Sequence, residues 1–291
     1  GNNVCKREKR ALETLQMSRI SCKKVAVDAF QPFTVGRTNE HVVEAYALPI
    51  EYEEHYHQSG TKPLPNAEHL LKINHNKINI PGIKQYLTSC KWPAGLQETL
   101  ILNLLKMPVR FFICDDSGSM NTDDDHRLYT NSQGVTKLIN CTRWSGLTAS
   151  LTFHANLAKA ANSLTQFRFL NALTPITLGD GQSDPDAELE RFLDLVNEPP
   201  SGKTPLCVHI REVVRQISSM ADELRSKGQK ACVVIASDGE STDGDVADAL
   251  RPLEHLPAWV VIRLCTDEEK IVNYWNNIDN DLELDMDVLD D

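Results

Sequence analysis

From residue 109 onward, short apolar runs alternate with longer segments of helical periodicity. The candidate strands are residues 109–114, 166–171, 231–236 and 259–264. The candidate helices are residues 143–162, 186–197, 205–226, 244–254 and 267–278. Strands that alternate with helices predict a parallel sheet, and nearly continuous apolar runs predict strands that are buried on both faces. We therefore expect an α/β fold with a doubly wound, mostly parallel sheet and helices on both faces.

The same pattern divides the chain into three parts. Residues 106–280 form the α/β unit, and two β-prone runs around an Asn- and Gly-containing segment predict a hairpin insertion at about 121–141. Residues 1–105 are an N-terminal extension of mixed α/β or helical character, with an amphipathic helix over 96–106. Residues 281–291 are rich in Asp and Glu. We expect them to form a solvated acidic tail.

The composition indicates a globular protein that does not bind nucleic acid. Of its 291 residues 41% are hydrophobic, and no apolar segment reaches the roughly 20 residues of a membrane span. A formal net charge of -11 argues against a general nucleic-acid binder. The cysteines include no CxxC pair, and Cys114, Cys232 and Cys265 lie in or at the end of apolar runs. We therefore expect reduced thiols in a cytoplasmic protein.

The first residues loosely resemble a lipid-attachment site. If a preceding Met is removed, Gly1-Asn2-Asn3-Val4-Cys5-Lys6 is similar to an N-myristoylation signal, although Cys5 stands where Ser or Thr is usual. Cys5 could take a second acyl chain, and the basic residues that follow would favour anionic lipid. The competing interpretation is a plain N-terminus. The sequence thus allows association with a membrane surface through an acylated N-terminus, without requiring it.

Three loops carry oxygen-bearing side chains. The first follows an apolar run and holds Asp115, Ser117 and Ser119 at alternating positions. The second, Gly202-Lys203-Thr204-Pro205-Leu206, enters a candidate helix with Pro in its first turn. The third has Asp238 directly after the run at 231–236. Open α/β sheets bind ligands at the carboxyl ends of their strands, and the carboxylate and hydroxyl oxygens of the first loop suit a hard divalent cation such as Mg²⁺.

Together the three loops resemble the metal-ion-dependent adhesion site of the von Willebrand factor type A (vWA) domain, over roughly residues 106–280. The residues that match are Asp115, Ser117 and Ser119 for the first metal loop, Thr204 for the second and Asp238 for the third. The resemblance implies that the serines coordinate the ion directly, the Thr directly or through water, and the aspartates largely through water. One coordination position is then left for an acidic side chain of a partner. The hairpin insertion after Met120 departs from the family pattern.

This resemblance predicts a protein-interaction module rather than an enzyme. The expected cofactor is Mg²⁺, with Mn²⁺ or Ca²⁺ as alternatives, and the expected partner is a protein with an exposed Asp or Glu. Two carboxylates and three neutral hydroxyls leave a divalent ion undersatisfied, so it stays attractive to an incoming carboxylate. No general base lies beside Ser117 or Ser119 in the sequence, and no Gly-x-Ser-x-Gly elbow is present there. We therefore predict no catalytic residue.

Two other functions stay open at this point. One is a scaffold whose metal site is unused. The other is a metal-dependent phosphoryl-transfer hydrolase, because Asp115-Asp116 after an apolar run is similar to the haloacid dehalogenase-like phosphatases. Those enzymes carry Asp-x-Asp, and here Ser117 stands at the second acidic position. Weaker metal candidates are Asp123, Asp124 and Asp125 as a second cation site, against a solvated acidic turn, and His55 and His57 with His69 or His75 as a transition-metal site.

Overall fold

A six-stranded sheet organises the described part of the chain. The computed structural model describes Leu71 and residues 78–130 and 135–289. Its strands are β1 (Val109–Cys114), β2 (Asp125–Thr130), β3 (Thr136–Cys141), β4 (Leu164–Phe169), β5 (Ile176–Leu178), β6 (Ala231–Ser237), β7 (Ala258–Leu264) and β8 (Met286–Leu289). The sheet order is β5-β4-β1-β6-β7-β8, and every neighbouring pair is parallel except β4 and β5. The predicted α/β class with a mostly parallel sheet is confirmed.

Helices cover both faces of this sheet. They are α1 (Ile80–Ser89), α2 (Ala94–Lys106), α3 (Arg143–Ala161), α4 (Pro185–Asn197), α5 (Leu206–Ser226), α6 (Val246–Leu250) and α7 (Glu269–Asp281). Short 3-10 turns occupy Gly118–Asn121 and Arg251–His255. Among the residues that the structure describes, no helix is both long enough and apolar enough to cross a bilayer. Gly1 and Cys5, on which the acylation hypothesis depends, lie outside the described residues.

The apolar run of β1 is explained by burial from both sides. Phe111 and Ile113 belong to one core cluster with α5, α6 and α7, whereas Phe112 and Cys114 belong to a second cluster with α3 and α4. All six residues of β1 are buried. Each large apolar side chain removed from water contributes roughly 1.5–3 kcal/mol, so a strand in this position cannot alternate between apolar and polar residues.

The described end of the N-terminal extension packs against α3. Ile83 of α1 and Leu104 of α2 join Phe153 and Leu157 of α3 in a third buried cluster. Trp92, between the two helices, stacks on Phe153 with ring centroids 5.4 Å apart. These contacts extend the hydrophobic core to residues that precede the sheet.

Three of the differences from the sequence-based expectation have a clear physical reason. The strand expected at 166–171 is β4 and starts two residues earlier, at Leu164. It starts there because the left-handed conformation of Asn162 (φ 49) ends α3 just before it. The candidate helix 244–254 shortens to α6 followed by a 3-10 turn that contains Pro252, which has no N–H to continue a helix. The expected tail at 281–291 contains β8, whose Met286 and Leu289 are buried. Strands as short as β5 and β8 give too few apolar positions for a periodic signal.

β1 lies where the chain reverses its direction across the sheet. From β1 the chain passes through α3 to β4 on one side, and later through α5 to β6 on the other side. The loops that follow β1 and β6 therefore open next to each other at the carboxyl edge. The backbone confirms this closeness, since Asp115 N–H donates to the Ala236 carbonyl at 2.9 Å. Such switch points are where open α/β sheets bind ligands.

The antiparallel hairpin of β2 and β3 stands apart from the main sheet. Its base is closed by the N–H of Arg143, which donates to the carbonyl of Thr122 at 3.0 Å. The hairpin also approaches α3 closely, because a Cβ on Gly146 would lie 1.7 Å from a carboxylate oxygen of Asp125. A glycine at this helix position therefore makes room for the insertion.

Candidate metal centre

The first loop fixes its aspartate to both neighbouring strands. Asp115 is fully buried. Its Oδ1 accepts from the N–H of Ser117 at 2.9 Å, and its Oδ2 accepts from the hydroxyl of Ser237 at 2.6 Å. Ser237 is the last residue of β6. One carboxylate thus connects the loop after β1 with the strand that leads to Asp238.

The two serines extend this connection to the second aspartate. The Ser117 and Ser119 hydroxyl oxygens are 3.0 Å apart, and the Ser119 hydroxyl donates to Asp238 Oδ1 at 2.9 Å. Ser117 and Asp238 are buried, whereas Ser119 is exposed. The site therefore opens to solvent at Ser119, and its other polar groups lie beneath.

Thr204 is placed by the backbone contacts of its loop. The Gly118 N–H donates to the Gly202 carbonyl at 3.3 Å, which joins the second loop to the first. The Thr242 N–H donates to the Thr204 carbonyl at 2.9 Å, which joins the second loop to the third. Gly202 has a φ of +101°, and a Cβ there would lie 2.3 Å from Asn171 Oδ1. The structure thus brings Asp115, Ser117, Ser119 and Asp238 into hydrogen-bonded contact and places buried Thr204 between their loops.

Arg143 completes the site and was missed by the sequence analysis. Its Nη1 donates to Asp238 Oδ2 at 2.9 Å, and its Nε donates to Asp124 Oδ1 at 2.7 Å. Its Nη2 also reaches Glu268 Oε1 at 3.3 Å. The Arg143 side chain is only 4% exposed, and the hydrogen bond with Asp124, followed by that with Asp238, raises its pKa. It could not be recognised from the sequence, because no motif or regular spacing relates an arginine at a helix N-terminus to Asp238.

Asp116 has a separate, structural set of contacts. Its Oδ1 accepts from Asn171 N–H at 3.0 Å and from Asn171 Nδ2 at 2.8 Å. Asn171 Oδ1 in turn accepts from the Lys203 N–H at 3.2 Å. The carbonyl of Asp116 accepts from the Ser201 N–H at 2.7 Å. Asp116 therefore holds the Thr204 loop against the first loop.

The electrostatics of these groups favour a bound cation. Burial raises the pKa of Asp115, and the nearby Asp238 carboxylate adds to that increase. Burial likewise raises the pKa of Asp116, with a smaller contribution from Asp115. Asp115 and Asp238 lie at the centre of the site, and the one positive charge of Arg143 is shared among Asp238, Asp124 and Glu268. The carboxylates therefore outnumber the nearby cationic side chain, which favours binding of a divalent cation, and the carboxylate and hydroxyl oxygens suit Mg²⁺.

Asp243 caps the helix that follows Thr204. Its two carboxylate oxygens accept from the Cys207 and Val208 N–H groups, each at 2.9 Å, and Oδ1 also accepts from the Ser241 hydroxyl at 2.6 Å. The α5 N-terminus is therefore capped by the loop after β6, not by its own preceding residue. This contact fixes the second loop of the site relative to the third.

Replacing Asp243 by Ala is expected to destabilise the fold by about 1–2 kcal/mol, because it removes the cap from the first turn of α5. Urea unfolding followed by circular dichroism measures this loss. Asp248→Ala, at an exposed position in the first turn of α6, is the control and should change stability by less than about 0.5 kcal/mol. Equal losses in both variants would contradict the capping role.

Comparisons with known proteins identify no family for this chain. No family model matches it, and no curated protein matches it significantly. Within residues 78–130 and 135–289, no group of three or more His, Cys, Asp or Glu could hold a metal ion. The candidate centre differs from such groups because most of its donors are hydroxyls. Asp124 pairs with Arg143, and the four candidate histidines lie outside the described residues.

Proposed function

We propose that this chain is a vWA-type protein-interaction module that binds an acidic group of a partner protein through a divalent cation. The observation that carries the proposal is a chain of hydrogen bonds in which the Ser117 N–H donates to Asp115, the Ser117 and Ser119 hydroxyls are in contact, and the Ser119 hydroxyl donates to Asp238. It joins the loops after β1 and β6 at the switch point of the sheet. The strand order around β1 and the position of Thr204 beside these loops also support it.

In such a site, some groups orient the two aspartates and others contact the ion. Ser237 and the Ser117 N–H orient Asp115, while Arg143 holds one oxygen of Asp238 and leaves the other directed at Ser119. A bound divalent ion would supply a Lewis-acidic position for a carboxylate of the partner. The hydroxyls are neutral, so they bind the ion without cancelling its charge. The exposed position of Ser119 provides the side from which a partner approaches.

The geometry supports binding more than phosphoryl transfer. A nucleophilic aspartate needs an oxygen that faces the substrate, but both Asp115 oxygens accept hydrogen bonds within the protein. At the position of the second acidic residue of a phosphatase, Ser117 is buried and its hydroxyl lies against that of Ser119.

Affinity capture with the immobilised chain tests the proposal. We expect a partner protein to be retained in Mg²⁺ and released by a chelator, and Ser119→Ala should not retain it. Because Ser119 is exposed, this substitution should leave the fold intact. Ser218→Ala, at an exposed position of α5 whose hydroxyl bonds only its own helix, is the matched control and should retain the partner. Binding that resists the chelator and is equal in both variants would place the interaction elsewhere. An absent metal effect would favour the scaffold alternative.

A further inference from the structure

A cavity of about 190 Å³ lies between α2, α3 and one face of the sheet, separate from the metal centre. We call it the α2–sheet cavity. Its walls are mostly apolar, and they include Leu104, Phe112, Leu151, Val234, Val261 and Leu289. Val234 and Val261 are only half-buried, so within the described residues no helix fully covers this part of strands β6 and β7.

The cavity also contains a buried charge for which the described residues supply no counter-ion. Arg110 lines it and is 7% exposed. Its Nη2 donates to the neutral hydroxyl of Thr165 at 2.9 Å, and no described residue forms a hydrogen bond with its Nε. Within the described residues, no carboxylate forms an ion pair with it. An unpaired charge in an apolar environment is costly, so such groups are normally paired.

The other polar groups of the cavity do not neutralise Arg110. His154 lines the same wall, and its Nδ1 has no hydrogen-bond partner in the described part of the chain. Burial together with Arg110 and Arg263 lowers its pKa to about 3. His154 is therefore a neutral side chain at physiological pH. Burial lowers the pKa of Arg110 to about 10, which still leaves the guanidinium charged. Arg263 also lines the cavity, so the cavity combines an apolar wall with two guanidinium groups, of which Arg110 lacks an ion-pair partner among the described residues.

We propose that the α2–sheet cavity binds a small amphipathic monocarboxylate, whose carboxylate pairs with Arg110 and whose apolar body lies against Phe112, Leu151 and Val234. The volume of about 190 Å³ exceeds the roughly 150 Å³ of an apolar cavity that accepts benzene. It is below the roughly 300–1,000 Å³ of pockets for drug-sized ligands. A medium-chain carboxylate of the size of octanoate fits this range, and the guanidinium offers it bidentate hydrogen bonds.

Isothermal titration calorimetry with sodium octanoate tests this proposal, with 1-octanol as the neutral counterpart. We expect octanoate to bind the native chain, and we expect Arg110→Gln to bind it at least about tenfold more weakly, because a charge-assisted hydrogen bond is lost. Octanol should bind weakly to both proteins. Arg168→Gln is the matched control. Arg168 is also a buried arginine with an unpartnered Nε, but it does not line the cavity, so octanoate affinity should be unchanged.

A second variant separates binding from folding. Val234→Phe fills the cavity from β6 and should abolish octanoate binding while the circular dichroism spectrum and the melting temperature stay close to those of the native chain. The proposal is overturned if the native chain shows no binding at about 10 mM octanoate, which corresponds to a very weak affinity. Occupation of the cavity by another segment of the same chain would give that result. Equal binding by Arg110→Gln, Val234→Phe and the native chain would also overturn it.

Discussion

Mg²⁺ should raise the melting temperature of the native chain and leave that of Asp115→Asn unchanged. A ligand that binds only the folded state at about 100 times its dissociation constant adds about 2.7 kcal/mol. For a chain of this size the gain corresponds to about 5–10 °C. Asn keeps the shape of Asp115, and the Ser237 hydroxyl can reverse its role and donate or accept as needed. Thermal unfolding with Mg²⁺ and with chelator, at fixed ionic strength, measures the effect.

The metal-free stability of Asp115→Asn provides an internal check. Burial raises the pKa of Asp115 in the folded protein, so its carboxyl group binds a proton more tightly in the folded state than in the unfolded chain. Its contribution to stability is therefore present at low pH and is lost as the pH rises through the raised folded pKa. Above that window, Asp115→Asn without metal should be at least as stable as the native chain. Asp222→Asn, on the exposed surface of α5, should behave as native in every condition. A Mg²⁺ response that survives in Asp115→Asn would remove this residue from the ion site.

Replacing Arg143 by Ala should cost about 3–5 kcal/mol of stability in chelator, because it leaves the buried Asp238 carboxylate without its cation. Asp124 and Glu268 are about half exposed or more, so solvent screens them and the loss comes mostly from Asp238. Urea unfolding measures this loss. Mg²⁺ should recover part of it, since a bound divalent cation also compensates Asp238.

An exposed arginine serves as the control for this variant. Arg191 pairs with Glu188 at 2.7 Å on the surface of α4, and Arg191→Ala should cost less than about 1 kcal/mol with no dependence on Mg²⁺. The stability of Arg143→Lys should lie between that of Arg143→Ala and that of the native chain, because an ammonium keeps the charge and loses the planar fork that reaches three carboxylates. A loss no larger than that of Arg191→Ala would mean that water solvates Asp238 well enough without the guanidinium.

The central strands could be predicted because burial on both faces makes almost all of their residues apolar. β1 coincides with the apolar run 109–114, and β6 extends the run at 231–236 by one residue. Each pairs on both sides and contacts helices on both faces, so almost every position requires an apolar side chain. β8 could not be predicted in this way. It lies at the sheet edge, where Asp287 accepts from Trp259 Nε1 at 2.9 Å and polar residues are tolerated.

In the candidate site, too, residues that are close in sequence could be predicted, whereas contacts between distant residues could not. Asp115, Ser117 and Ser119 were recognisable because they share one loop directly after a strand. Arg143 and Asp238 are 95 residues apart, and Asn171 reaches Asp116 across 55 residues. Such partners are determined by how the chain folds around the sheet. No short-range pattern specifies them, and no homologous family was found that would reveal them by analogy.

The closed base of the hairpin lets the insertion change independently of the loops that form the proposed ion site. Because Arg143 N–H meets the Thr122 carbonyl at 3.0 Å, the chain enters and leaves the insertion at nearly the same place. Residues can be added or deleted beyond this base at a small entropic cost, about 0.6 kcal/mol for each doubling of loop length. Descendants of this chain could therefore acquire hairpins of new length and composition while Asp115, Ser119 and Asp238 keep their hydrogen-bonded positions.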